Sequence, residues 1–83
     1  EIYYHHDISE CDFITKKNNT LSAYQVCYKL TNENKTRELN GLKKAMEKWN
    51  IKHGIIITYQ QEEVSDIPNI EIIPFWKWAS LIT

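Results

Sequence analysis

The chain has 83 residues, a length that supports one hydrophobic core and excludes a second domain. Hydrophobic residues make up 42% and charged residues 25%, which excludes a disordered chain because the apolar surface can offset chain entropy. Ten Lys and Arg residues stand against eleven Asp and Glu residues, so the formal net charge is −1. This balance excludes a general basic field, and DNA binding would need a local basic patch.

The sequence begins at Glu1 without an initiator Met and runs directly into strand-like residues, which indicates an excised fragment. Apolar runs such as residues 55–57 are far shorter than the roughly 20 residues that span a bilayer, so no membrane segment is predicted. Cys11 and Cys27 lack metal-site spacing and are too few for a secreted disulfide scaffold, which favours a reducing cytoplasm. We also predict that they form no disulfide, because strand alternation places them on opposite faces.

Three β-strands are predicted in the first 30 residues. Residues 2–6 and 11–15 are rich in β-forming residues, and the polar residues 7–10 between them can close a hairpin. Residues 16–19 have turn composition, and residues 20–30 alternate between two faces as a strand does. One face carries Tyr24, Val26, Tyr28 and Leu30, and the other carries Ala23, Gln25, Cys27 and Lys29.

A long helix is predicted over residues 32–49. Thr31 can cap its start, and Glu33 in the first turn complements the helix dipole. Apolar residues then recur at helical spacing, at Leu39, Leu42, Ala45, Met46 and Trp49. We expect Met46 and Trp49 to be buried against the sheet, on the face that carries Tyr24 or its neighbours.

Residues 54–59 are apolar on both faces, as in a strand buried between two layers, and should pair in parallel with residues 20–30 through a right-handed crossover. A loop, a strand and a short helix are predicted to follow, over residues 60–69, 70–74 and 75–81. The predicted fold class is therefore α/β (α+β). A single domain over residues 1–83 would contain a mixed sheet with a βαβ unit, packed by one long helix and a short C-terminal helix.

Three polar residues are expected to meet on one face of this sheet. If the second and third strands are hairpin neighbours, Asp12 on one strand and Gln25 and Cys27 on the other point to the same face near its middle. Metal-dependent nucleases keep their active site at this position.

A series of landmarks runs along nearly the whole chain. In order they are Glu1 to His6, Cys11-Asp12-Phe13-Ile14, Tyr24-Gln25-Val26-Cys27-Tyr28, Thr36-Arg37-Glu38 and Ile72-Ile73-Pro74-Phe75-Trp76-Lys77-Trp78. With them, the chain resembles the PD-(D/E)XK nuclease-like domain at the C-terminus of uncharacterised prokaryotic AAA-type ATPases. The resemblance implies a restriction-endonuclease-like fold. It also implies an upstream ATPase domain in the same polypeptide, whose P-loop is not among these residues.

The resemblance also implies site residues. In an active member, an Asp and a Glu or Gln on the second and third strands would hold Mg²⁺, and a Lys two residues later would orient the attacking water. The matching positions are Asp12, Gln25 and Cys27. Gln25 is an uncharged metal ligand and Cys27 lacks the charge and reach of lysine, so the site is predicted to be degenerate. Lys29, about 6.6 Å further along the strand, could return its ammonium group to the site.

Structural interpretations compete with each of these functional ones. Asp12 is equally explained as a solvated carboxylate, Gln25 as a polar group bonded within the sheet, and Cys27 as a small buried hydrophobe. His5 and His6 point to opposite strand faces and cannot easily chelate one ion. Two larger sets of side chains also have two interpretations each. The aromatic residues Phe75, Trp76 and Trp78 could close the core or stack on nucleic-acid bases. The lysines could form a solvated helix face or contact DNA, and they are Lys43, Lys44, Lys48 and Lys52.

The sequence thus predicts a non-catalytic accessory domain of a larger ATPase that contacts DNA or a partner protein. One alternative is a residual nuclease that uses Asp12, Gln25 and Lys29, and only this alternative calls for a cofactor, Mg²⁺. A second alternative is a structural or dimerisation module, which would act as a homodimer.

Overall fold

The computed structural model describes residues 2–3 and 11–82, with side chains over residues 11–81. Their strands form one five-stranded mixed sheet in the order β1-β2-β3-β4-β5, with two helices. The elements are β1 (Ile2–Tyr3), β2 (Phe13–Lys17), β3 (Thr20–Val26), α1 (Lys35–Lys48), β4 (His53–Thr58), β5 (Ile70–Pro74) and α2 (Phe75–Ile82). The predicted α/β class with a mixed sheet is confirmed.

The first three strands are antiparallel neighbours, as predicted. The turn between β2 and β3 contains only Asn18 and Asn19, which both have positive φ angles, of 52° and 68°. Asparagine tolerates this left-handed conformation, which two-residue hairpins require. The predicted turn was therefore too long, because Lys16 and Lys17 belong to β2. The predicted polar break at residues 7–10 lies outside the described residues.

Strands β3 and β4 are parallel and are joined through α1, which confirms the predicted βαβ unit. Strand β3 ends at Val26, four residues earlier than predicted. The chain then turns away, and the side-chain amide of Gln61 binds both backbone groups of Leu30, at 2.7 and 2.9 Å. These bonds satisfy the backbone of Leu30 without a neighbouring strand.

Helix α1 begins at Lys35, three residues later than predicted, because Thr31 caps a preceding turn. The Thr31 hydroxyl accepts a hydrogen bond from Asn34 N, and the Asn34 side-chain oxygen accepts one from Thr31 N. The helix ends one residue earlier than predicted, where Asn50 takes a positive φ angle of 54° and Ile51 N donates to Met46 O at 2.7 Å. This pattern is a Schellman motif, which satisfies carbonyl groups in the last turn.

Helices α1 and α2 cover opposite faces of the sheet through separate apolar clusters. The cluster under α1 includes Ile14, Ala23, Leu39, Leu42, Ala45, Met46, Ile56 and Ile72. The cluster under α2 includes Tyr24, Ile55, Ile57 and Ile73, with Phe13 and Trp78 packed against it. Met46 is buried as predicted, whereas Trp49 is only partly buried.

The predicted docking face of α1 was wrong, since the helix packs over Ala23 and not over Tyr24. Small residues on that face let the helix approach closely. A side chain at Gly54 would place its Cβ 2.6 Å from Met46 Sδ and 3.0 Å from Leu42 Cδ2. The bulky Tyr24 ring stacks instead on Phe13 across the hairpin, with ring centroids 4.6 Å apart.

No disulfide joins Cys11 and Cys27, as predicted. The prediction that they lie on opposite faces of the sheet was wrong, because both side chains contact the cluster under α1. Cys11 lies before the first residue of β2, so strand alternation does not govern its direction. No helix in the described part of the chain is long and apolar enough to cross a membrane.

Candidate functional site at the end of strand β3

Asp12 is fixed at the carboxyl end of β3. The hairpin register pairs Phe13 with Tyr24, which leaves Asp12 as the next residue beyond the last pair. Its backbone N–H donates to Tyr24 O at 2.9 Å, and its carboxylate accepts the N–H of Val26 at 2.7 Å. Because the acceptor is charged, this short bond is stronger than an ordinary amide hydrogen bond. Asp12 therefore already has a structural partner, although its side chain is exposed.

Gln25 connects the sheet to α1. Its Nε2 donates to Glu38 Oε1 at 3.0 Å, and the Glu38 side chain is only 15% exposed. Since an amide group has its oxygen opposite its nitrogen, Gln25 Oε1 points away from Glu38. This oxygen is buried and accepts no hydrogen bond from the described residues. The expectation that Gln25 is a hydrogen-bonded polar group is therefore met by its Nε2 but not by its Oε1.

Glu38 was not predicted as a site residue, although a positional signal was present. In a βαβ unit, the first turn of the helix lies close to the carboxyl end of the preceding strand. Glu38 is the acidic residue in the first turn of α1. Its second carboxylate oxygen lies 3.5 Å from Arg37 Nε, so the two oxygens of Glu38 contact Gln25 and Arg37.

Cys27 occupies the position at which the resemblance implies a lysine. Burial raises the pKa of its thiol, and the negative charge of Glu38 raises it further; a hydrogen bond to Lys29 O and the charge of Arg37 lower it by smaller amounts. The Cys27 Sγ lies 3.4 Å from Lys29 O. A thiol is neutral or negatively charged, so Cys27 cannot supply the positive charge of a lysine, and its raised pKa keeps it neutral at pH 7.

Lys29 lies beyond the end of β3 and is exposed. The expected 6.6 Å spacing assumed that the strand continued past it, and this assumption was wrong. Its carbonyl oxygen accepts hydrogen bonds from Cys27 Sγ and from Asn34 Nδ2, the latter at 3.0 Å. These bonds fix the Lys29 backbone, and a role for its ammonium group at the site stays a prediction.

The donor atoms at this site fall short of a Mg²⁺ site. Mg²⁺ needs near-octahedral oxygen coordination, usually with carboxylates as protein ligands. Within residues 11–81, no three His, Cys, Asp or Glu side chains lie together so that they could hold a metal. The Asp12 carboxylate binds Val26 N, and Gln25 presents its nitrogen to Glu38. The described side chains therefore do not fit the metal that the resemblance implies.

The C-terminal aromatic residues divide into core and surface. Trp78 packs in the cluster under α2, with its ring centroid 6.1 Å from that of Phe13 and 6.0 Å from that of Tyr24. Phe75 and Trp76 are exposed by 56% and 63%. Core closure thus explains Trp78 alone. His5 and His6, which were not expected to chelate one ion, lie outside the described residues.

The four lysines predicted to lie on a solvated face are all exposed, namely Lys43, Lys44, Lys48 and Lys52. Lys43, Lys44 and Lys48 lie on the solvent side of α1 with Arg37, and Glu47 is the exposed acidic residue among them. This face provides a local excess of positive charge on a chain whose net charge is −1.

Comparison with known proteins gives one relative of interest. The chain is 38% identical to an uncharacterised protein of Methanocaldococcus jannaschii, over an 81-residue alignment that covers 84% of the chain and 18% of that protein. The chain thus spans less than a fifth of the relative's length. No family model matches the chain. No solved structure matches it either.

Proposed function

We propose that this chain is a non-catalytic accessory domain of a larger ATPase, which uses a nuclease-like scaffold to contact nucleic acid. The Gln25 to Glu38 hydrogen bond is the observation that carries this proposal. Through this bond, the Gln25 side chain links β3 to α1. With Asp12 bonded to Val26 and Cys27 in place of a lysine, the site lacks the charges that phosphodiester hydrolysis requires.

The exposed face of α1 supports nucleic acid as the partner. Lys43, Lys44 and Lys48 place three exposed cations on one helix, with Glu47 as the exposed acid among them, while Arg37 is paired with Glu38. Side chains of this kind bind phosphate groups without reading sequence, and their binding weakens as salt concentration rises. The ATPase context is an expectation from the sequence resemblance, and the greater length of the M. jannaschii relative is compatible with it.

We expect the chain to retard duplex DNA in a mobility-shift assay at low salt, with less retardation as salt is added. Lys44→Glu should weaken this binding by about tenfold, because it reverses a charge in the centre of the basic face. Lys17→Glu on the β2 to β3 hairpin is the matched control, since it changes the net charge equally at an exposed position away from α1.

If both variants weaken binding equally, net charge rather than the α1 face governs it. If the unmodified chain retards no DNA at low salt, a protein partner or a structural role replaces the proposed function.

A residual Mg²⁺-dependent nuclease is the second candidate, and the position of Glu38 favours it. This carboxylate accepts a hydrogen bond from Gln25 Nε2 at 3.0 Å, so an acidic side chain lies beside one of the implied ligand positions. Even so, the site would need further ligands from other parts of a longer polypeptide.

We expect the purified chain to leave supercoiled plasmid intact with either Mg²⁺ or Mn²⁺, because the described ligand set is incomplete and no lysine occupies position 27. The control is Asp12→Ala, tested at the same protein concentration. Cleavage that disappears in this variant would establish the nuclease. Cleavage that persists in it would come from a contaminating enzyme.

A further inference from the structure

Exposed aromatic side chains lie together at the carboxyl ends of β3 and β4. The rings of Tyr28 and Tyr59 stack with centroids 4.9 Å apart and an interplanar angle of 18°. Their residues are nevertheless 71% and 55% exposed. Val26 and Phe75, which line the same hollow of about 210 Å³, are 53% and 56% exposed. We call Val26, Tyr28, Tyr59 and Phe75 the aromatic patch.

The hollow in the aromatic patch is lined by uncharged residues, with Ile57 and Thr58 completing it. Contiguous exposed apolar surface on a small domain marks an interaction site, and Tyr and Phe are enriched at the centres of protein interfaces. A polyanion would meet no cation in this lining. An apolar protein surface is therefore the better match.

The rim of the aromatic patch carries opposite charges. Lys29 directly follows Tyr28, is exposed, and forms no ion pair with any described residue. Asp12 is also exposed, and its carboxylate contacts the backbone of Val26. A patch with an uncharged centre flanked by one cation and one anion can be self-complementary. In a two-fold arrangement, Lys29 of each copy would face Asp12 of the other while the aromatic centres meet.

We propose that the aromatic patch binds a second copy of this chain in a two-fold symmetric dimer. This proposal goes beyond DNA binding by α1 and does not depend on it. The Tyr28 and Tyr59 rings form the centre of the interface, and Lys29 and Asp12 set its register. Standard interfaces take about 10% of a small protein's surface, which is roughly 600 Å² of the 5900 Å² here. Two such surfaces bury roughly 1200 Å² in total, which is the lower end of the range for specific interfaces, so we expect weak association with a dissociation constant of about 1 to 100 µM.

Sedimentation equilibrium of the 83-residue chain tests the proposal. We expect a monomer to dimer transition over this concentration range. Tyr28→Ser combined with Tyr59→Ser should weaken it at least about tenfold, because the centre of the interface is lost. Lys29→Glu should weaken it about threefold or more, because like charges would then meet at Asp12. Val64→Ser is the matched control: Val64 is an apolar side chain, 90% exposed and outside the aromatic patch, and this change should have no effect.

Circular-dichroism melts of all variants check that each chain is folded, and Tyr28→Ser alone replaces the double variant if that one unfolds. A chain that stays monomeric to about 1 mM overturns the proposal. So does dimerisation that folded tyrosine variants leave unchanged, or that Val64→Ser weakens equally. Dimerisation unaffected by Lys29→Glu overturns the two-fold register.

Discussion

Leu42→Ala is expected to destabilise the fold by about 3 to 5 kcal/mol, because it removes a fully buried side chain at the centre of the α1 contact. Leu42 is 0% exposed and lies directly over Gly54, where α1 comes closest to the sheet. A domain of this size has a total stability of roughly 4 to 12 kcal/mol, so the variant should be close to unfolding at 37 °C. Urea denaturation followed by circular dichroism measures the change.

Leu81→Ala is the matched control for this prediction. It makes the same chemical change in α2 at a residue that is 71% exposed, so the free energy of unfolding should fall by less than about 1 kcal/mol. Equal losses in the two variants would contradict the packing of α1 described here. A loss below about 1 kcal/mol for Leu42→Ala would mean that the helix is not docked on this face.

Gln25→Glu is expected to be the most informative change at the candidate site. It places a carboxylate where an amide now donates to Glu38 at 3.0 Å, so the hydrogen bond becomes a repulsion between like charges in a partly buried position. We expect a loss of about 2 to 4 kcal/mol in the free energy of unfolding at pH 7.

The loss in Gln25→Glu should depend on pH in a defined direction. The neighbouring charge and burial raise the pKa of the introduced carboxyl group above its unfolded value of about 4.3. A raised pKa means that the folded state binds the proton more tightly, so most of the loss is absent below about pH 4 and develops as the pH rises through the folded pKa. Thermal melts between pH 4 and pH 8, corrected for the unmodified chain, measure this.

The double variant Gln25→Glu with Glu38→Gln is the matched control, because it exchanges the partners and restores an amide to carboxylate bond. It should recover most of the stability. Adding Mg²⁺ to Gln25→Glu then separates the two candidate functions. A non-catalytic domain predicts an unchanged melting temperature, whereas a substantial rise would show that the carboxylates at positions 25 and 38 help to hold a cation, and would favour the nuclease.

The candidate site was predictable from the sequence only in part. Strand alternation and the family resemblance selected Asp12, Gln25 and Cys27, and the structure places all three at the end of β3. The resemblance could not say what these side chains bind. The bond between Gln25 and Glu38 joins residues 13 positions apart on different elements, so it depends on how closely α1 approaches the sheet. Lys29 was misplaced because the end of β3 depends on contacts with Gln61, 31 residues after Leu30.

The order and type of the elements follow from local patterns in the amino-acid sequence. The limits of β5 were predicted correctly, because Ile70 to Pro74 is bounded by a turn at Asn69 and by the aromatic helix that follows. The core of α1 was also predictable, since Leu39, Leu42, Ala45 and Met46 repeat at helical spacing and all are buried. Such signals are local, because the period of a helix or strand is set by its own backbone geometry.

The face of the sheet that each helix covers depends on tertiary packing and not on local patterns. The alternating pattern of β3 offered α1 two faces, and the bulkier one, with Tyr24, was the expected choice. Close packing reversed this choice, because α1 fits over Ala23 and Gly54, where little side-chain volume separates the backbones. Tyr24 was then left to the aromatic cluster with Phe13 and Trp78. A choice of this kind depends on complementary volumes contributed by distant parts of the chain, which periodicity within a single element does not encode.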